Sequence, residues 1–480
     1  MMRKIIFFLS VLMLSSFLLF WRLDQVDLEA SEDIYVSDSV GYMRGDPFIV
    51  PRHHLRKPHY PASPHPFFVQ LLTGLSLKIF GFSLFSIRFV QALAIILTTF
   101  VVMLIALFLS QSVWVSVSAG LFFTTLPLVV RFGRMAVLDP VLTFLYSCAI
   151  LWSWSIVQNR KYTGYLYAGL TGFALGLVIS TKLTGIFFSI PISLIFVWQF
   201  LKKRENYFIK CFIICFLTCG SVFILFNDPY SYYYGWTHFS DPKHARISFA
   251  AIIKAATTLH YWFYFITGLL GMPAFILFLI SLHRFKNILA TEKRVFVFLW
   301  TLGPLTYLII NPIHVTGLSA EWSYLPLIVP FAIILSFSVF SIQQQKIRYA
   351  TYGFYFIATM PTLFWYGLRF ERLPLAHYLR ARNVITGDLA VTRIIDELNK
   401  EHKKSLVLVI TKGIDVPLWM IKDSIATEPF YHPINLYDYI LTDNEEIRKK
   451  SEENGFMIQS QQQNFSEPKV FLLKNATKPY

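Results

Sequence analysis

The sequence predicts an α-helical integral membrane protein with a small soluble α/β domain at its C-terminal end, and three observations carry that reading. Of 480 residues, 55% are hydrophobic and only 15% charged, with a mean hydropathy of +0.52, whereas a soluble domain holds about 25% charged residues. The apolar residues fall into runs close to the roughly 20 that a helix needs to cross a bilayer. From Leu368 onward the composition becomes that of a soluble domain. The net charge of +15 does not point to nucleic acid, because the bases are dispersed between apolar runs instead of forming a stripe. Positive cytoplasmic loops account for it.

Taken in order, about eleven spans are expected, at 4–21, 84–109, 112–130, 141–157, 165–181, 186–201, 208–226, 257–282, 295–311, 324–343 and 348–367. No small-x-small cleavage site follows the first run before Trp21, so it is read as a retained span and not a signal peptide. Residues 22–66 form a long polar loop, and 67–80 a shorter helix carrying Gln70 and Lys78 that is expected to lie in the interface. With Met1 cytoplasmic, the inner loops collect Arg3, Lys4, Arg160, Lys161, Lys202, Lys203, Arg204, Arg284, Lys286, Lys293, Arg294, Lys346 and Arg348. The positive-inside rule is then satisfied. The loop 22–66, residues 131–140, the turn 181–185, residues 227–255, residues 312–323 and the C-terminal tail all fall on the outer face. Domain 1–367 is thus the membrane part and 368–480 an extracytoplasmic α/β domain, with strands expected at 405–411, 438–442 and 469–473. Cys148, Cys211, Cys215 and Cys219 sit inside apolar runs and are read as helix-packing residues. The adjacent His53 and His54 cannot both project from one helical face, so no metal site is expected.

Four constellations carry the candidate chemistry. The first is the opening loop, where Glu32, Asp33 and Asp38 precede a basic cluster including Arg52, Arg56, Lys57, His59 and His65. Crowded carboxylates split their pKa values, which is how one of them becomes a proton acceptor at neutral pH. The second is RFGRMAVLDP at 131–140, in which Arg131 and Arg134 share a helical face and suit a phosphate, while Asp139 before Pro140 reads as a helix N-cap. The third is 172–188, with Gly172 and Gly176 spaced for close helix packing and Lys182 at the outer end, either snorkelling or adding charge to the same anion. The fourth gathers His314, Glu321 and Tyr324 near one membrane face as possible sugar or phosphate contacts, against the plainer reading of an aromatic belt.

In order, these elements resemble the protein O-mannosyltransferase family and, more broadly, the GT-C glycosyltransferases that use polyprenyl-phosphate sugars. The resemblance rests on the acidic loop after the first span, His65-Pro66 opening an interfacial helix, the Arg134 to Asp139 element and STKLTG at 180–185. It covers about residues 1–340. It implies a catalytic base from the acidic loop, a polyprenyl-phosphate sugar as donor, a protein, lipid or glycan acceptor and no metal or other cofactor. Leu138 and Asp139 match the family's Leu-Asp element, and Lys182, Thr184 and Gly185 its Lys-x-Thr-Gly turn. The family's HPPLGK appears here as HPFFVQ, which puts Gln70 in place of a lysine. Ser323 stands where relatives often carry a base, so a phosphate contact is expected to fall to His314, Arg52, Arg56 or Lys57. The function expected is inverting sugar transfer to an acceptor hydroxyl on the outer face of a bacterial or archaeal plasma membrane. A lipid-linked sugar transporter or flippase is the alternative, disfavoured because charges sit at span ends on one side and the halves do not repeat.

Overall fold

The computed structural model describes residues 2–25, 32, 35–36, 39, 68–81, 83–158, 162–227, 274, 276–277, 279–280, 291–314, 321–368, 405–410, 425–428, 439–442, 445–462 and 470–476. Helix α1 (Met2–Phe20) is followed by a 3-10 turn at Leu23–Gln25. Then come α2 (Phe68–Phe80), α3 (Leu84–Ser110), α4 (Val113–Thr125) and α5 (Pro127–Gly133). Helices α6 (Asp139–Gln158) and α7 (Tyr162–Thr181) lead through a 3-10 turn at Leu183–Phe188 to α8 (Ser189–Lys203) and α9 (Asn206–Leu225). After α10 (Thr291–His314) and a 3-10 turn at Glu321–Tyr324, α11 (Leu325–Phe340) and α12 (Gln345–Thr362) complete the helical part. Among the described residues five helices are long and apolar enough to cross a membrane, or six if the bent pair α4 and α5 is one span. The expected span 257–282 lies mostly outside the described residues.

The expected straight span over 112–130 is instead broken by 63° between α4 and α5. Pro127 is the cause: it forces Leu126 to extended backbone (φ −67°, ψ 128°) and cannot continue the hydrogen-bond ladder. Helix α5 then ends at Gly133, so Arg134 is its C-cap and does not continue the helical face of Arg131.

Outward-facing Met13, Phe17, Phe216, Leu217, Ile224 and Leu225 leave the bundle with an apolar surface, as expected of helices whose outer side meets lipid. Helices α7 and α9 meet through the predicted glycine pair. A Cβ at Gly172 would collide with the backbone of Cys215, and one at Gly176 would come within 2.8 Å of the Cys219 carbonyl. The cysteines therefore form the complementary face of the glycine pair, and they are free thiols.

Away from this contact the bundle ends on basic residues. Lys203 Nζ donates to the Val157 carbonyl (3.4 Å) and Lys293 Nζ to that of Leu109, so the C-termini of α6 and α3 each carry a cation. Glu292 ties α10 to α8 through Lys202 (3.3 Å).

The C-terminal residues form a five-stranded mixed sheet of order β2-β1-β3-β5-β4, from β1 (Ser405–Ile410), β2 (Ile425–Glu428), β3 (Tyr439–Thr442), β4 (Phe456–Gln462) and β5 (Val470–Asn475). Strand β1 pairs parallel with β2 and β3, and β5 antiparallel with β3 and β4. Helix α13 (Glu445–Glu453) contributes Ile447 to the small core of Ile440, Phe456, Phe471 and Leu473. The three strands expected are present. The two edge strands β2 and β4 escaped the sequence reading, since IATE is short and FMIQSQQ is largely polar.

Candidate active site

One end of the bundle gathers the unusual polar residues into three linked groups. The first fixes the opening loop. Glu32 is fully buried, and Arg88 of α3 grips both its oxygens, Nε donating to Oε1 and Nη2 to Oε2, each at 2.8 Å. The Ala136 N–H adds a third bond to Oε1 (2.7 Å), and Arg88 Nη1 donates onward to the Leu23 carbonyl (3.1 Å). Around this pair Val36, Leu77, Leu84, Ile87 and Ala136 form a dry cluster. Glu32 thus latches the loop to α3 and to the segment leading into α6. To act as the expected base Glu32 would have to give up some of these bonds, since each of its oxygens already accepts from the guanidinium or the backbone N–H.

The second group caps α1. Arg134 is buried, and its guanidinium donates to the carbonyls of Leu18 (3.3 Å), Trp21 (2.8 Å) and Arg22 (3.3 Å). It satisfies carbonyls that the end of a helix leaves unpaired, which is a different part from the phosphate contact expected of it. Arg131 stays half-buried on α5, its guanidinium 5.6 Å from the Phe132 ring centroid.

The third group holds a lysine between two buried partners. Asp139 starts α6, but its carboxylate does not cap the helix as expected. Oδ1 accepts from the hydroxyl of Tyr307 on α10 (2.6 Å), and Oδ2 lies 3.5 Å from Lys182 Nζ. Lys182 in turn donates to the Tyr307 hydroxyl (2.8 Å). The three side chains form a closed ring in which Asp139 and Tyr307 are fully buried while the lysine keeps 8% exposure. Buried Ser323 stands within hydrogen-bonding reach of Tyr307. Local sequence explains the geometry. Gly185 N–H bonds the Lys182 carbonyl (2.7 Å) in the 3-10 turn, and a Cβ at Gly185 would meet the Val178 carbonyl at 2.6 Å, so the Lys-x-Thr-Gly turn closes only with glycine there. Tyr307 is set by tilted ring contacts: its ring centroid is 4.9 Å from that of Phe188, which lies 4.4 Å from that of Tyr146, whose hydroxyl donates to the Trp300 carbonyl (2.9 Å).

The structure therefore joins Asp139 and Lys182, two residues singled out from sequence, through a tyrosine that was not. Tyr324 is half-buried at the start of α11 beside Ser323. Asp33, Asp38, Arg52, Arg56, Lys57 and His65 lie outside the described residues, as do the side chains of His314 and Glu321. Among the described residues no group of three or more His, Cys, Asp or Glu is arranged to hold a metal ion. Arg88 was legible as a charge within an apolar run, which by itself marks a buried partner.

Comparison with known proteins follows the same segments. Residues 64–225, which include Arg88, Arg134, Asp139 and Lys182, match the family model described as dolichyl-phosphate-mannose-protein mannosyltransferase. Two curated relatives, the undecaprenyl phosphate-alpha-4-amino-4-deoxy-L-arabinose arabinosyl transferase 2 of Sodalis glossinidius and the corresponding transferase of Enterobacter sp., are each 32% identical over 137 residues. That match spans 28% of this chain and 24% of the length of either relative. The crystal structure of ArnT from Cupriavidus metallidurans bound to undecaprenyl phosphate superposes over 98% of both chains, with a TM-score of 0.64 at 12% identity. The oligosaccharyltransferase of Archaeoglobus fulgidus matches 98% of this chain and 73% of its own, at a TM-score of 0.52 and 11% identity. The segment that holds these residues thus matches this family model, and the chain shares its fold with the two solved transferases along nearly its whole length.

Proposed function

We propose that the protein is a membrane glycosyltransferase that moves a sugar from a polyprenyl-phosphate carrier to an acceptor hydroxyl, with inversion, on the extracytoplasmic face. The observation that carries the reading is the ring of Asp139, Tyr307 and Lys182, a slightly exposed cation held by two fully buried partners. The relative solved with undecaprenyl phosphate supports the donor class. In the proposed step a carboxylate of the opening loop, Asp33 or Asp38, takes the proton of the acceptor hydroxyl. The acceptor oxygen bonds to the anomeric carbon, the bond from that carbon to the phosphate oxygen breaks, and the lipid phosphate leaves with the electron pair. Lys182 meets the growing negative charge, with Arg131, Arg52 and Arg56 as further contacts, while Asp139 and Tyr307 keep the ammonium in place. Charge-stabilising groups fixed before the reaction contribute on the order of 3 kcal/mol each.

Incubating purified protein with a panel of polyprenyl-phosphate sugars and measuring released lipid phosphate by mass spectrometry tests this. Release is expected from at least one donor, and Lys182→Met is expected to cut kcat about 100-fold, with Lys182→Arg recovering part. Folded protein that releases nothing from any donor would sink the proposal and favour a lipid-linked sugar transporter.

A further inference from the structure

The bond from Tyr307 to Asp139 has a counterpart between the same two helices. Tyr146 follows Asp139 by seven residues on α6, and its hydroxyl donates to the carbonyl of Trp300 (2.9 Å), seven residues before Tyr307 on α10. Seven residues are about two helical turns, so each helix presents both bonding positions on one face. The Phe188 ring lies against both Tyr146 and Tyr307. The bond to Trp300 has a backbone cause. Four residues beyond Trp300 stands Pro304, which has no N–H to return the helical bond to that carbonyl. A buried carbonyl left open in this way has to find a donor on a neighbouring element. Tyr146, itself buried, supplies it. Gly303 lets the helix come close enough, since a Cβ there would lie 2.8 Å from the Tyr146 hydroxyl and 2.7 Å from Cγ of Pro191 on α8.

We propose that Tyr146 is a positioning residue for Lys182, an inference that rests on the transferase reading above. Helices bend at glycine and proline, and Gly303-Pro304 divides α10 into two halves. The C-terminal half carries Tyr307, whose hydroxyl receives Lys182 Nζ at 2.8 Å and donates to Asp139 at 2.6 Å. By closing the gap that Pro304 leaves, Tyr146 fixes the bend and with it the place where Tyr307 meets the lysine. Tyr146 lies about 10 Å along α6 from Asp139, so it acts through the ring and not on the substrate.

The test uses full-length protein in detergent, with lipid phosphate released from polyprenyl-phosphate mannose, polyprenyl-phosphate 4-amino-4-deoxyarabinose and the other donors of the panel as the assay. Tyr146→Phe keeps the ring and removes the hydroxyl. It is expected to lower kcat about 10-fold and to leave donor KM within about twofold, because the lysine acts on charge that grows as the bond breaks. Combined with Lys182→Met, the same change is expected to cost nothing further, since a residue that acts through Lys182 then has nothing left to position. Pro304→Ala returns an N–H to the ladder. Added to Tyr146→Phe, it is expected to recover most of the kcat and of the unfolding temperature, and this recovery is also the readout if Tyr146→Phe alone does not fold. Unchanged kcat in Tyr146→Phe, losses that multiply with those of Lys182→Met, or no recovery with Pro304→Ala overturns the role of Tyr146 alone. A folded wild type that releases lipid phosphate from no donor overturns the transferase reading, and the role of Tyr146 with it.

Discussion

Glu32 and Arg88 illustrate how a residue's surroundings decide its work. An acid in a polar loop reads as a base candidate from sequence alone. The same acid closed in by Val36, Ile87 and Ala136 and held by both oxygens becomes a structural anchor. Removing one member of such a pair leaves an uncompensated buried charge, which costs about 3–5 kcal/mol, while replacing both with apolar residues is close to neutral. Glu32→Gln is therefore expected to lower the thermal unfolding temperature sharply, and the double change Glu32→Met with Arg88→Met to restore most of it. A Glu32→Gln protein with wild-type stability and no sugar transfer would return Glu32 to the role of base. At this scale the sequence was only partly legible. Asp139 and Lys182 were visible as ionisable residues at span ends, but their link, Tyr307, sits in the apolar run TLGPLTYLIINP and differs from a belt tyrosine only in what it meets 168 positions away. The helical face that Arg131 and Arg134 share by spacing is lost for a related reason: it requires the helix to continue, and the helix stops at Gly133.

Among the elements, close packing of α7 at Gly172 and Gly176 is readable from the sequence, though not its partner, because small residues four apart have few other uses in a bilayer. The structure adds the matching surface, the backbone of α9 at Cys215 and Cys219. Gly172→Leu forces these helices apart and is expected to destabilise the protein by about 1–3 kcal/mol, as overpacked interiors do. Gly169→Leu on the same helix meets open space and is expected to leave stability unchanged. Thermal unfolding in detergent checks the contrast, and equal losses at both positions would mean that the contact with Cys215 does not set the cost. The bend between α4 and α5 was also written in the chain, as Leu126-Pro127 in the middle of an apolar run, yet hydropathy averages over it. The bend turns α5 and Arg134 toward the end of α1, so that a proline in the third span brings the cap of the first into place.

On the scale of the whole molecule, both ends of the bundle have distinct chemistry. Lys203, Lys293 and the Lys202 to Glu292 bridge lie at one end, where α3 and α6 terminate. The latch at Glu32, the Arg134 cap and the Asp139 ring lie at the other. Positive charge near the ends of spans is held on the cytoplasmic side, so the polar end is expected to face outward, and with it the C-terminal sheet. Cysteine labelling tests this directly. Cys148, Cys211 and Cys215 are buried and Cys219 is half-buried between helices, which leaves a low background for an introduced thiol. Lys450 on α13 and Lys202 at the end of α8 both have exposed side chains. In spheroplasts of a bacterial expression host, Lys450→Cys is expected to react with a membrane-impermeant maleimide at once, and Lys202→Cys only after permeabilisation. The opposite pattern would place the Asp139 ring on the cytoplasmic side and exclude an extracytoplasmic acceptor. Labelling of both without permeabilisation would show leaky membranes, so an endogenous cytoplasmic protein must stay unlabelled in the same sample. The result bears on the mechanism as well as on topology. The lysine that the ring holds is useful to a lipid phosphate only if both meet at the same membrane surface, and the order of charged residues along the chain predicts which surface that is.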